Sequence, residues 1–439
     1  MNTNRRPGAE QRERFGSYSP QRRTALALCG TGAHGAYHAG VLRALQEAGV
    51  KVDVLAGHGV GAASAALTAI DGAARLWEAN GVWQKERAGL LYGWKSSARI
   101  LAWLCAALLL VIAAAGTIAA LVQRSGSTLR RAGGEWWWRI VGAPVDAEAA
   151  RALFINQIWE LIRGAAPIPQ PSRTALGRRF SEVLVENAGQ PGFPELVLVA
   201  TDLDARRDVV AALVSEPYRA DFLAPRPGRD RRSEVLDLSG VERDHALDLV
   251  AAALTPPVVC DPELVTFAAN SFWRGETHRM CDRPGAVNRL LEEVAAAGAT
   301  QVIVVSAIAS VTGPHQLRVP RLDLRSRLGD FQVAAEAAAL RDALEMARLR
   351  FDSVYVICPD HNAVGPFDVG GAYDEASDRR QELTELMERA YEDAYRQFIE
   401  PVVGASGEQL ARAQAGAAGR HHADRLFDDA DSPAVRDLN

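Results

Sequence analysis

The chain has 439 residues, 48% hydrophobic and 23% charged, ordinary values for globular domains that exclude disorder throughout, a collagen-like repeat and a protein made of many membrane spans. Its 49 basic and 54 acidic residues leave a net charge of −5, with no overall basic field to attract nucleic acid. The five cysteines (Cys29, Cys105, Cys260, Cys281, Cys358) form no C-x-x-C pair, so reduced thiols are expected, with no disulfide framework and no metal site.

Residues 1–23 are polar, carry six arginines and two glutamates and lack the apolar centre of a signal peptide; a disordered basic tail is expected. Thr24 to Cys29 is a short apolar run that stops at glycine. Tyr37, Val41, Leu42 and Leu45 follow at helical spacing up to Gly49, so the segment reads as strand, glycine loop, helix. The same unit recurs at once, with Val52 to Ala56 as strand, GHGVG as turn and an Ala-rich helix from Ala62 to Leu76. From Ile100 to Val122 there are 23 consecutive uncharged residues, long enough at about 1.5 Å per residue to match a bilayer core of roughly 30 Å. Trp136, Trp137 and Trp138 follow among arginines, a composition typical of the membrane interface.

After a proline-rich connector at Ala165 to Ser172, strands are expected at Leu196 to Thr201, Val209 to Val214, Gln301 to Ala307 and Ser353 to Cys358. Helices are expected at Ala246 to Leu254, at about Asp330 to Leu349 and, strongly charged, at Glu375 to Glu400. Alternating helices and near-continuous apolar strands indicate an α/β sheet covered on both faces.

Two turns carry the chemistry. Gly30-Thr31-Gly32-Ala33-His34-Gly35 follows a strand and opens a helix, where glycines let backbone N–H groups approach an anion. Gly57-His58-Gly59-Val60-Gly61 stands at a sharp strand-to-helix turn, the setting of a nucleophile elbow, G-x-S-x-G. Its middle residue is glycine, so position 59 has no hydroxyl. Ser64, one and a half helical turns further on, is expected to point away, and His34 and His38 read as capping or surface residues of the first helix. The histidines at 245, 278, 315, 361, 421 and 422 show no metal-ligand spacing.

These segments resemble the patatin-like phospholipases, lipid acyl hydrolases with a Ser-Asp dyad. GTGAHGAYHAGVL (Gly30 to Leu42) is similar to the family's oxyanion loop, with Thr31 and His34 departing from it. GHGVGAASAAL (Gly57 to Leu67) is similar to its elbow, with the nucleophile position on Gly59. VATDLDARRDVV (Val199 to Val210) and AAALTPPVV (Ala251 to Val259) resemble two further segments, in the expected order. The family's D-G-G or D-G-A motif is matched by Gly285-Ala286, but Pro284 precedes them and the nearest aspartate, Asp282, reaches the site only if two residues loop out. Both members of the dyad thus read as altered.

The resemblance implies a three-layer α/β sheet with helices on both faces, and the sequence adds a hydrophobic insertion at about 88–141 within a domain spanning 24–402, followed by a polar tail at 403–439. A single crossing by the insertion would split the sheet between two sides of a bilayer. Lys95 and Arg99 before the run and Arg124, Arg130 and Arg131 after it favour both ends facing the cytoplasm. The expectation is a catalytically silent lipid acyl hydrolase scaffold at the cytoplasmic face of a membrane, binding a membrane lipid or acyl chain or a protein partner, without cofactor, metal or nucleic acid. The competing expectation is an active hydrolase with another nucleophile.

Overall fold

The computed structural model describes residues 18–96, 99–100, 103–104, 107, 143–190, 193–224, 231, 233–271, 273–309, 324–360, 365–374 and 379–404. The segments 1–17 and 405–439, and most of the uncharged run 100–122 with Trp136 to Trp138, lie outside the described residues. No helix among the described residues is long and apolar enough to cross a membrane.

In chain order the elements begin with β1 (Thr24–Cys29), α1 (His34–Glu47), β2 (Val54–His58), α2 (Val60–Ala69), β3 (Gly93–Trp94), β4 (Val145–Asp146), α3 (Glu148–Arg163) and α4 (Arg173–Asn187). The middle of the chain adds β5 (Glu195–Asp202), β6 (Arg207–Leu213), α5 (Tyr218–Leu223), β7 (Ser233–Asp237), α6 (Ala246–Ala253), β8 (Glu263–Thr266), β9 (Thr277–Cys281) and α7 (Val287–Ala296). The last elements are β10 (Gln301–Ser306), α8 (Leu324–Ala347), β11 (Ser353–Ile357), β12 (Ala372–Asp374), β13 (Arg379–Gln381), α9 (Leu383–Ala394) and a π-helical stretch Tyr395–Gly404.

A nine-stranded sheet runs β11-β10-β1-β2-β5-β6-β7, with the β8–β9 hairpin joined to the end of β5. From β11 to β5 it is parallel; β6 is antiparallel to β5, and β7 is parallel to β6. Helices cover both faces. The period-2 alternation of a strand sends Leu26, Leu28 and Leu55 to the face covered by α1, α2, α3, α4, α6 and α9, among Tyr37, Leu67, Phe154, Phe180 and Met387. It sends Ala25, Ala27, Val54 and Ala56 to the opposite face, under Leu290 and Val294 of α7 and Leu340 and Ala343 of α8. A three-layer α/β fold results, as expected.

Several boundaries differ from expectation. The tail boundary at Arg23 lies too late, because Tyr18 is buried edge-on to Tyr355 and Phe398, and Arg23 pairs with Glu195. The helix from Ala62 starts earlier and stops at Ala69, and the charged C-terminal helix starts only at Leu383 because Arg379–Gln381 pairs with Ala372–Asp374. The helices α3 and α4, strand β7 and the β8–β9 hairpin were not anticipated. For α4 a local signal was present: Ser172, read as the end of the connector, caps the helix by accepting from Ala175 N–H at 3.3 Å.

Candidate functional site

The site lies where β1, β2 and β9 end, at the carboxyl edge of the sheet, where α/β folds place their ligands. The turn after β2 has the backbone of a nucleophile elbow: Gly59 sits at φ 58°, ψ −136°, a conformation that side chains rarely adopt. Gly57 and Gly61 are needed for close packing, since a Cβ at 57 would lie 2.3 Å from the carbonyl carbon of Gly61 and one at 61 would lie 2.0 Å from the Leu28 carbonyl oxygen.

At position 59 itself the space is taken. A Cβ there would stand 2.3 Å from the carbonyl oxygen of Gly30 and 2.9 Å from Oδ2 of Asp282. The glycine loop after β1 thus turns a carbonyl toward position 59, and Val60 N–H donates to that oxygen at 2.9 Å. In an elbow hydrolase the N–H after the nucleophile is an oxyanion donor; here it has an internal acceptor. Thr31 N–H donates to Nδ1 of His34 at 3.1 Å, and Ala33 N–H donates to the Pro366 carbonyl at 2.8 Å. Trp83 packs against Gly35, closing the loop from the helix side. The N–H groups of Thr31, Ala33 and Val60 are therefore all already satisfied within the fold.

Asp282 does reach this point. It follows β9, its N–H donates to the Thr255 carbonyl at 2.9 Å, and Arg283 and Pro284 form the two-residue excursion, closed by Ala286 N–H on the Arg283 carbonyl at 3.1 Å. Gly285 takes φ 79° in this turn and Ala286 precedes α7. Asp282, which spacing alone left two residues short of the motif, stands with its carboxylate beside position 59.

What meets that carboxylate is Thr31. Its Oγ1 lies 2.6 Å from Asp282 Oδ2 and 3.0 Å from Oε1 of Glu336 on α8. One hydroxyl has one proton to donate, so bridging two carboxyl groups requires one of them to be protonated. Burial raises the pKa of Glu336 to about 7, opposed by His58 and helped by the Asp282 charge. When Glu336 carries its proton it can donate to Thr31, which leaves the Thr31 proton for Asp282.

The second Asp282 oxygen faces His58, Nδ1 to Oδ1 at 3.5 Å, and neither atom has a hydrogen-bond partner among the described residues. Burial would lower the His58 pKa, but Asp282 and the Cys29 thiol raise it well above the ordinary imidazole value. Cys29 is within reach because the parallel register pairs Leu28 with Gly57, which sets Cys29 beside His58 one step on.

His34 and His38, expected at the surface or as caps, are wholly buried. Nδ1 of His34 accepts the Thr31 N–H, which assigns a neutral ring, and its 3.6 Å approach to Glu336 is no ion pair. His38 Nε2 donates to the Cys29 carbonyl at 3.0 Å, and burial lowers its pKa to about 3. Ser64 is buried, and its Oγ has no hydrogen-bond partner among the described residues. Thr31 and His58 are 1% exposed and Asp282 is 0% exposed, so the cluster is closed to solvent. A cavity of about 550 Å³ lined by Leu26, Leu42, Leu45, Lys51 and Asp53 opens at the other end of the strands, away from this chemistry.

The family model of patatin-like phospholipases matches residues 26–227, taking in the oxyanion loop, the elbow and the β5–β6 hairpin. Over those residues the chain is similar to the patatin-like phospholipases. Among solved structures, VipD from Legionella pneumophila is 13% identical, covers 89% of this chain and 70% of its own, and superposes with a TM-score of 0.31. The type III effector protein ExoU is 14% identical, with 96% of this chain and 67% of its own covered and a TM-score of 0.24. At those scores neither likeness decides anything about this chain. No curated protein matches it.

The site is a proton-linked cluster, and its pH dependence follows. Folded Glu336 keeps its proton to about pH 7, whereas the unfolded group releases it near the ordinary glutamate value of 4.5. Stability is therefore lost as pH rises from about 4.5 to about 7, by up to about 3 kcal/mol from this group. His58 acts in the same sense, its contribution complete below about pH 6.5 and lost as pH rises through its native value. His38 acts oppositely, its contribution being lost as pH falls from about 6.5 toward about 3. Denaturant unfolding at pH 5 and pH 8 should give a difference that shrinks by about 1.5 kcal/mol or more in Glu336→Gln; an unchanged difference would mean that Glu336 is already ionised at pH 5.

Proposed function

We propose that this patatin-like domain does not hydrolyse acyl esters, and that it acts by binding a membrane lipid, an acyl chain or a protein partner at the cytoplasmic face of a membrane. One observation carries the silent reading: the Gly30 carbonyl lies 2.3 Å from where the Cβ of a nucleophile at position 59 would be. An oxyanion hole needs donors aimed at developing charge, and a carbonyl at that spot opposes it. The membrane reading rests on the uncharged run 100–122 and its basic flanks.

The test is a fluorophosphonate probe together with turnover of a p-nitrophenyl ester and of phospholipid vesicles. The purified full chain should remain unlabelled and release product no faster than buffer.

A second reading, an active lipid acyl hydrolase, is favoured by one contact. Thr31 Oγ1 lies 2.6 Å from Asp282, within the reach that a nucleophile needs from its base. Labelling that disappears in Thr31→Ala would establish this reading and remove the silent one.

A further inference from the structure

The insertion leaves the fold and returns to it at one point. β3 and β4 pair antiparallel, Gly93 with Asp146 and Trp94 with Val145, and Lys95 N–H donates to the Pro144 carbonyl at 3.1 Å. The ribbon is fixed to the body: Val145 N–H donates to the Val259 carbonyl at 2.9 Å, and the Lys95 ammonium contacts Asp261. Residues 96–143 therefore start and end within one rung of a ladder, about 5 Å apart, which places both ends on the same side of anything the insertion meets.

Apolar side chains gather around that point and face solvent. Trp94 is 40% exposed and Val258 76%. Val258 holds φ 71° at the centre of a three-residue turn, with Val259 N–H donating to the Pro257 carbonyl at 2.8 Å. A β-branched residue in the left-handed region is strained, and here the strain leaves an apolar side chain in water. Beyond Lys95, Arg99 N–H donates to the Lys95 carbonyl, and the helical positions Ile100, Trp103 and Leu104 are 60%, 77% and 62% exposed. Their i, i+3, i+4 spacing puts them on one helix face. Lys95 and Arg99 stand at the base of this apolar surface, the arrangement of tryptophan, aliphatic and cationic side chains that suits an anionic bilayer surface.

We propose that Trp94, Ile100, Trp103, Leu104 and Val258 form one docking face that seats on an anionic lipid bilayer, with the whole α/β domain kept on one side of it. The proposal rests on the membrane reading above and specifies which surface does the work. The occupant is a bilayer because Ile100, Trp103 and Leu104 belong in sequence to a 23-residue uncharged run and Lys95 and Arg99 stand beside them.

The test is flotation of the full chain with vesicles of phosphatidylcholine and phosphatidylglycerol at 7:3, and with phosphatidylcholine alone. Compared with it are Trp103→Asp/Val258→Asp and a chain in which residues 96–143 are replaced by Asn-Gly, which closes β3–β4 as a two-residue hairpin. Aspartate tolerates the left-handed region better than valine, so the double variant should fold with an unchanged or higher melting temperature. The full chain should float with the anionic vesicles at least tenfold more than with the neutral ones, the double variant should lose tenfold or more in partitioning, and the hairpin-closed chain should lose more. If the full chain floats and the double variant floats equally well, the face is not the docking surface although the membrane reading stands. If the full chain floats with neither vesicle and sediments as a dimer that the double variant breaks, the face covers a second copy and both readings fail.

Discussion

Gly59→Ser, the substitution that would restore the family's nucleophile in sequence, is expected to yield a less stable protein with no esterase activity. The new Cβ would meet the Gly30 carbonyl oxygen at 2.3 Å and Asp282 Oδ2 at 2.9 Å, in a backbone conformation at φ 58°. The obstacle at Gly30 is main chain, so relief requires the oxyanion loop to move and Val60 N–H to lose its acceptor. Overpacking and an unfavourable φ together cost about 3 kcal/mol. Gly59→Ala carries the same Cβ without the hydroxyl and should be destabilised equally. Denaturant unfolding of both variants, beside ester turnover by the serine variant, checks this; a stable, active Gly59→Ser would mean that the Gly30 carbonyl withdraws readily.

Asp282→Ala should be the most destabilising single change at the site. Asp282 is fully buried, accepts from Thr31 and faces the His58 ring at 3.5 Å. Removing one member of a buried ion pair costs about 3–5 kcal/mol. Asp282→Asn keeps the shape and an acceptor for Thr31, so a smaller loss is expected, while the His58 pKa falls because the charge that raised it is gone. Histidine NMR titration of the asparagine variant reads this directly, and a His58 that still titrates well above the ordinary imidazole value would assign its shift to Cys29 instead.

Much of the frame was legible because it is local. Parallel strands buried on both faces read as apolar runs, and β1, β2, β5, β10 and β11 were placed within one or two residues. The glycine turns, set by spacing over six residues, were legible too. The site's contents were not, since they depend on residues brought from far along the chain. Thr31 meets Glu336 across 305 positions, and nothing near Glu336 in the sequence distinguishes it from other glutamates of an Ala-rich helix. Asp282 was named, but its arrival at Gly59 depended on the Arg283–Pro284 excursion, which spacing alone leaves undecided. Cys29 beside His58 follows from strand register, which the order of strands in the chain does not give. His34 and His38 were misplaced because a helix packed on two sides, by the sheet and by α9, buries polar positions that periodicity assigns to solvent.

The inward carbonyl of Gly30 sets a hydrogen-bond acceptor beside position 59. In an acyl hydrolase this spot is rich in hydrogen-bond donors and draws in anionic tetrahedral mimics. With the Gly30 oxygen and Asp282 both bordering position 59, a boronate or phosphonate would meet repulsion, and an inhibitor series ranked by its resemblance to the tetrahedral intermediate should show no trend in affinity for this domain.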